Sequence, residues 1–179
     1  MATAPYVLAG LASAVAFGGG DFSGGMAARR ASGIAVTAVA QLVGCVLLLG
    51  LLAVVRPPVP TTASLGIGLA AGIAGAIGMA SLYRALATGA MGLVAAVSGA
   101  GTVVVPLLAS LFALGGEIHA VQLVGVACVI GAVLAASGAA TSHASRTALG
   151  LALVAALAFG TWYVLLDRAA SAEDRKSVV

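Results

Sequence analysis

Two ionisable residues, Asp21 and Arg84, stand inside long apolar stretches of the sequence. A charged side chain in such surroundings costs about 3 kcal/mol or more unless it is paired or hydrated, so each residue is a functional candidate. Both stretches are predicted to start from the same side of the membrane. Because Asp21 and Arg84 each lie late in their stretch, both approach the opposite side, where they could pair. We hypothesise that Asp21 binds a proton or a cationic substrate and that Arg84 controls its charge. The alternative is a structural ion pair near the membrane interface.

Uncharged polar residues lie near the middle of two other apolar stretches. Gln41 is in one of them, and Ser98 and Thr102 are in the other, four residues apart and therefore on one face of a helix. Such side chains line a substrate cavity or form hydrogen bonds with a neighbouring helix. We interpret Ser98 as a packing contact and leave both alternatives open for Gln41 and Thr102.

Three further residues are candidates for gating or substrate contact. Pro106 removes one hydrogen bond from its helix and bends it, either as a gate or simply as a kink. Trp162 and Tyr163 lie near the end of an apolar stretch, where aromatic residues typically mark the membrane interface, and stacking against an aromatic substrate is the alternative. No set of side chains has the spacing of a catalytic or metal-binding group, so we expect no enzyme activity, cofactor or metal site.

The elements that must position these residues are membrane-spanning helices. Of the 179 residues, 62% are hydrophobic and only 7% are charged, against roughly 25% charged residues in a soluble domain. No compact soluble fold has enough interior for this composition, so the outer surface must face lipid. The eight Lys and Arg residues are scattered between apolar runs, which argues against a nucleic-acid partner. We predict an all-α polytopic transmembrane helix bundle.

Six apolar runs are long enough to cross a hydrocarbon core, which takes about 20 residues per helix. Short segments that contain turn formers or charges separate the runs, such as Arg56-Pro57-Pro58. Residues 141–146 form a predicted linker, and the charges of residues 167–179 predict an aqueous tail. The distribution of basic residues leaves the orientation of the N-terminus open. The predicted spans are 5–28, 33–55, 64–88, 91–115, 118–139 and 147–166.

Small residues recur at intervals of four within two of the spans. Gly68 and Gly72 are followed by Ala76, and Gly131 is followed by Ala135 and Ala139. In lipid this spacing lets helix backbones approach closely. We therefore predict tight helix packing along these two stripes.

The sequence contains a short internal repeat. The segment from Leu11 to Gly18 aligns with the segment from Leu153 to Gly160, and both end in Ala-Phe-Gly. The second copy begins after five spans, and an odd number of crossings inverts it relative to the first. Inverted repeats are an architecture of transporters. The repeat predicts half of an inverted-repeat ten-helix transporter, of which the 179 residues hold one repeat and the first helix of the next.

Two sets of residues match the pattern of a known family. The first set is Tyr83-Arg84-Ala85-Leu86-Ala87, Pro106, Gly116-Glu117, Gln122, Gly125 and Gly131. The second is the glycine-rich segment from Phe17 to Gly25 around Asp21, followed by Arg29-Arg30. Through the first set the chain resembles the EamA family of the drug/metabolite transporter superfamily, and the second set is similar to one branch of that family.

The resemblance implies two inverted five-helix repeats and transport of small metabolites or drugs across the cytoplasmic membrane, commonly as export and often assumed to be proton-coupled. This sequence departs from the family in lacking helices seven to ten.

These observations divide the chain into a first five-helix repeat at residues 1–140, the linker, the first helix of a second repeat at 147–166, and the tail. The expected function is a secondary transporter that works by alternating access on a small-molecule substrate. The expected partners are the lipid bilayer and either the missing second repeat or a second copy of the chain as a homodimer partner. Two alternatives are a scaffold subunit that transports nothing and a homodimer like the small multidrug exporters.

Overall fold

A computed structural model describes residues 3–57, 59–88, 90–113, 120–139 and 145–177. The secondary structure of these residues consists of α-helices, which confirms the all-α prediction. Two predicted boundaries lie outside the described residues, namely the end of the fourth span at residue 115 and the start of the fifth at residue 118. The residues between them, Gly116 and Glu117, lie outside as well. The helices are α1 (Thr3–Ala28), α2 (Gly33–Val55), α3 (Thr62–Leu86), α4 (Met91–Ala113), α5 (Ala120–Ala139) and α6 (Arg146–Ser177).

Local capping explains where several helices begin and end. The Ser32 side chain accepts a hydrogen bond of 3.1 Å from the Ala35 N–H and caps α2, and Thr61 caps α3 in the same way. At the other end of α2, Arg56 adopts a left-handed conformation, with φ 47° and ψ 55°. Its N–H bonds to the Leu52 carbonyl, and Pro57 follows, so the helix cannot continue.

Most of the helices have the length and composition that a membrane crossing needs. Five of those described, α1 to α4 and α6, are long and apolar enough to span a bilayer. The described apolar part of α5, residues Ala120–Ala135, is shorter. Helix α6 continues to Ser177, beyond the predicted end of its span at Leu166. The charged tail predicted from the sequence therefore begins as a continuation of this helix.

Helix α6 lies at the centre of the packing. It contacts α3 most extensively and α4 next, while α1 and α2 pack on α3 and α5 packs on α4. The buried core joins the end of α3 to the first half of α6, and it includes Leu82, Tyr83 and Ala152. Large apolar side chains of α2, such as Leu47, are exposed, as expected of a surface that faces lipid.

The stripes of small residues predicted to bring helices together do not do so. Gly68, Gly72 and Gly131 have no neighbouring atom within 4 Å of the position where a Cβ would stand. The close approach occurs instead between α4 and α6, where a Cβ on Gly101 or on Gly160 would overlap the opposite helix. The spacing therefore did not identify the packed surfaces, because small residues also recur on helix surfaces that contact no other helix among the described residues.

Candidate functional site

A cavity of about 500 Å³ lies between α1, α3, α4 and α6. It brings together three of the residues predicted from the sequence, namely Asp21, Ser98 and Thr102. The cavity is not enclosed, since the Phe22 side chain in its wall is 62% exposed. The lining consists of Gly18, Asp21, Phe22, Leu82, Leu86, Met91, Gly92, Ala95, Ser98, Gly99, Thr102 and Phe159.

Asp21 is the ionisable side chain of this lining. It is partly buried on α1 and also lines a smaller groove of about 260 Å³, beside Phe17, Met79 and Tyr83. In the part of the chain that the structure describes, its carboxylate has no hydrogen bond or ion pair. The glycine-rich segment around Asp21 explains why its side chain borders both the cavity and the groove. Gly18 and Gly20 carry no side chains and leave open space on both sides of the helix.

The structure does not pair Asp21 with Arg84, which contradicts the alternative of a structural ion pair between them. Arg84 is exposed, and its aliphatic part lies against the start of α2, where a Cβ on Gly33 would stand 2.8 Å from the Arg84 Cγ atom. Arg84 is absent from the lining of the cavity. The direction in which each side chain points depends on the rotation of its helix, which the sequence does not specify.

The Ser98 and Thr102 side chains lie on the α4 wall of the cavity, four residues apart as predicted. The Ser98 hydroxyl donates to the Val94 carbonyl at 2.8 Å and lies 3.2 Å from that of Ala95. The Thr102 hydroxyl donates to the Gly99 carbonyl at 2.7 Å. Both hydroxyls therefore bond to their own helix, and the bond between helices that was expected for Ser98 is not formed.

Two of the candidate residues lie away from the cavity. Gln41 is exposed on α2 and is absent from the lining of the cavity. Pro106 lies inside α4 and faces a separate groove of about 340 Å³ toward α5, which Gln122 and Gly125 also line. The structure thus places neither of them beside Asp21.

The aromatic pair at the end of the predicted sixth span also lies outside the cavity. The Trp162 indole packs against Gly75 of α3. Its Cδ1 atom lies 3.3 Å from the position that a Cβ atom on residue 75 would occupy. Its ring centroid is 4.8 Å from that of Tyr163, in an edge arrangement at 62°, and Tyr163 is 42% exposed. The aromatic contributions to the cavity come instead from Phe22 and Phe159.

Sequence reasoning missed the apolar side chains that form most of the cavity wall. Phe159 is the most informative of them, because its ring lies over Gly78 of α3 and also faces the cavity. The one available signal was the Ala-Phe-Gly triplet of the internal repeat, which contains this residue. For metal binding, no group of three His, Cys, Asp or Glu residues comes together among the residues that the structure describes.

Comparison with protein families supports what the fold indicates. The EamA-like transporter family matches residues 4–138, which is most of the chain and includes Asp21, Ser98 and Thr102. The chain belongs to this family, whose members are membrane transporters rather than enzymes, and its apolar helices indicate a multi-pass membrane protein. Neither the comparison with curated proteins nor the comparison with solved structures gave a match. Helix α6 lies beyond the matched residues.

Proposed function

We propose that the chain takes part in secondary transport, and that its substrate crosses the bilayer through the cavity between α1, α3, α4 and α6. The observation that carries the proposal is that this cavity unites Asp21, Ser98 and Thr102 within spanning helices. An intramembrane carboxylate costs free energy, and one beside a cavity marks a path for a substrate or a proton. Family membership supports transport and names no substrate.

The position of α6 supports an alternating-access mechanism. On the interpretation that α6 is the first helix of a second, inverted repeat, the cavity lies between the repeats, since Asp21 belongs to the first repeat and Phe159 to the second. Substrate sites of inverted-repeat transporters lie at such interfaces. Rocking of one repeat against the other would then expose the cavity to each side of the cytoplasmic membrane in turn. Export is the direction that the family resemblance favours, with Asp21 as the candidate proton carrier.

The exposed wall of the cavity needs a covering element. Phe22 is largely exposed beside a partly buried carboxylate, and lipid tails would solvate that carboxylate poorly. We propose that further helices cover this side, supplied either by a second repeat or by a second copy of the chain.

Cysteine accessibility tests the proposal without knowledge of the substrate. Cys45 and Cys128 are exposed and free, so replacing both by Ala gives a background for Thr102→Cys. We expect a membrane-impermeant maleimide to label Thr102→Cys in right-side-out and in inverted vesicles, because alternating access opens the cavity to both sides. The matched control is Val43→Cys on α2, which is 52% exposed toward lipid and should react from neither side.

The labelling pattern separates the proposed function from the scaffold alternative. Labelling of Thr102→Cys from neither side, or from one side only under all conditions, would contradict transport through this cavity. Labelling of Val43→Cys at the same rate would show that the reagent reaches lipid-exposed positions too. Labelling of Thr102→Cys would then give no support to a path through the cavity.

A further inference from the structure

The polar side chains of the cavity all present hydrogen-bond acceptors. The hydroxyl hydrogens of Ser98 and Thr102 are used by backbone carbonyls of α4, which leaves their oxygen lone pairs available. An ionised Asp21 has acceptors only. The other residues of the lining have apolar side chains or are glycines. A ligand that satisfies this cavity must therefore bring hydrogen-bond donors with it.

The charge of the lining points to the same kind of ligand. No Lys, Arg or His belongs to the lining of this cavity as far as the structure describes it, and Arg84 faces α2 instead. The backbone offers one opposing feature, the first turn of α4 at Met91 and Gly92, whose N–H groups precede the first intrahelical bond. A helix N-terminus carries roughly half a positive charge, against the full negative charge of Asp21, so the net field favours a cation.

The walls of the cavity suit the apolar body of an organic cation. Leu82, Leu86 and Met91 provide aliphatic surface, while Phe22 and Phe159 provide aromatic faces. Aromatic faces attract cations at distances up to about 6 Å from the ring centre. The volume of about 500 Å³ accommodates a small organic molecule rather than a bare metal ion.

We infer that the cavity binds an amphipathic organic ammonium ion, that is, a protonated amine with an apolar body. The ammonium group pairs with Asp21, and the hydroxyl oxygens of Ser98 and Thr102 are further acceptors on the α4 wall. The apolar body lies against Phe22 and Phe159. This inference rests on the proposed function, because it assigns a substrate class to the same cavity.

The test is calorimetric binding to the full chain in lipid nanodiscs, with three probes that share a phenyl group and a short chain. They are 2-phenylethylamine, protonated at neutral pH, the neutral 2-phenylethanol, and the anion 3-phenylpropanoate, each corrected for binding to empty nanodiscs. We expect the amine to bind about tenfold or more tightly than the alcohol, because a charge-assisted hydrogen bond is lost, and the anion not to bind measurably.

Variants locate the interaction. Asp21→Asn preserves the shape of the side chain and should remove the preference for the amine while leaving the weak affinity for the alcohol, which also shows that the variant is folded. The matched control is Asp167→Asn on the exposed surface of α6, which should bind all three probes like the wild type. Thr102→Val removes one acceptor at nearly constant volume and should weaken amine binding several-fold.

Several results would overturn the inference. They are equal affinity for the amine and the alcohol, stronger binding of 3-phenylpropanoate, retention of the amine preference in Asp21→Asn, and no amine binding at millimolar concentration. If Thr102→Cys is still labelled from both sides, these results leave the transport proposal intact and remove only the substrate class. Amine binding without two-sided labelling would instead reject the transport proposal.

Discussion

The contact between α4 and α6 at Gly101 makes a strong prediction about stability. Gly101 is buried, and a Cβ at this position would overlap the backbone of Ala156. Across the same crossing, a Cβ on Gly160 would overlap Val105 and lie close to the Gly101 carbonyl. The obstacle is the backbone of a helix rather than the flexible end of a side chain, so it cannot move aside without shifting α6.

The expected magnitude follows from two opposing effects of Gly101→Ala. Forcing a methyl group into a packed contact costs about 1 to 3 kcal/mol. Replacing glycine by alanine inside a helix returns up to about 1 kcal/mol through helix propensity. After the full gain in propensity is subtracted, we expect a net loss of up to about 2 kcal/mol in the free energy of unfolding. Gly72→Ala is the matched control, because its added methyl meets open space and only the gain in propensity remains.

The assay is reversible unfolding in mixed micelles by titration with a denaturing detergent, followed by circular dichroism. Gly101→Ala should unfold at a lower denaturant fraction than the wild type, and Gly72→Ala at the same or a higher one. The reasoning is refuted if the two variants unfold alike, or if Gly72→Ala is the less stable. The second result would restore the stripe of small residues on α3 as the packing surface that the sequence spacing predicted.

Two further predictions concern the residues around the cavity. Arg84→Gln should leave the affinity for 2-phenylethylamine within about twofold of the wild type, because Arg84 packs on Gly33 and does not pair with Asp21; a tenfold change in the same calorimetric titration would show that the two charges are coupled. Phe159→Ala should lower the free energy of unfolding by about 3 kcal/mol, because the ring fills the space between Gly78 and the cavity. Detergent unfolding measures that loss, and a stability equal to that of the wild type would contradict the packing assigned to this ring.

The helices were largely predictable from the sequence because the signals that define them are local. A run of apolar residues bounded by turn formers specifies a spanning helix without knowledge of its neighbours. Helix α2 begins at Gly33 and ends at Val55 as predicted, and α4 begins at Met91. The end of α6 was predicted less well, because hydropathy marks where a helix leaves lipid and does not mark where the helix itself stops.

The candidate site was only partly predictable. The sequence identified polar residues within the apolar runs, and the structure brings Asp21, Ser98 and Thr102 to one cavity. It places Arg84 and Gln41 on other surfaces. Whether the three cavity residues bind a substrate stays a prediction for the binding and labelling experiments.

The sequence by itself determined that this is an all-α membrane protein of the EamA type. Only the tertiary structure decided which face of each helix is buried. In a soluble helix the polar face reveals this orientation, but in lipid both the packed face and the exposed face are apolar. For that reason Gly72 and Gly101 look alike in the sequence, whereas one lies in open space and the other lies against the backbone of α6.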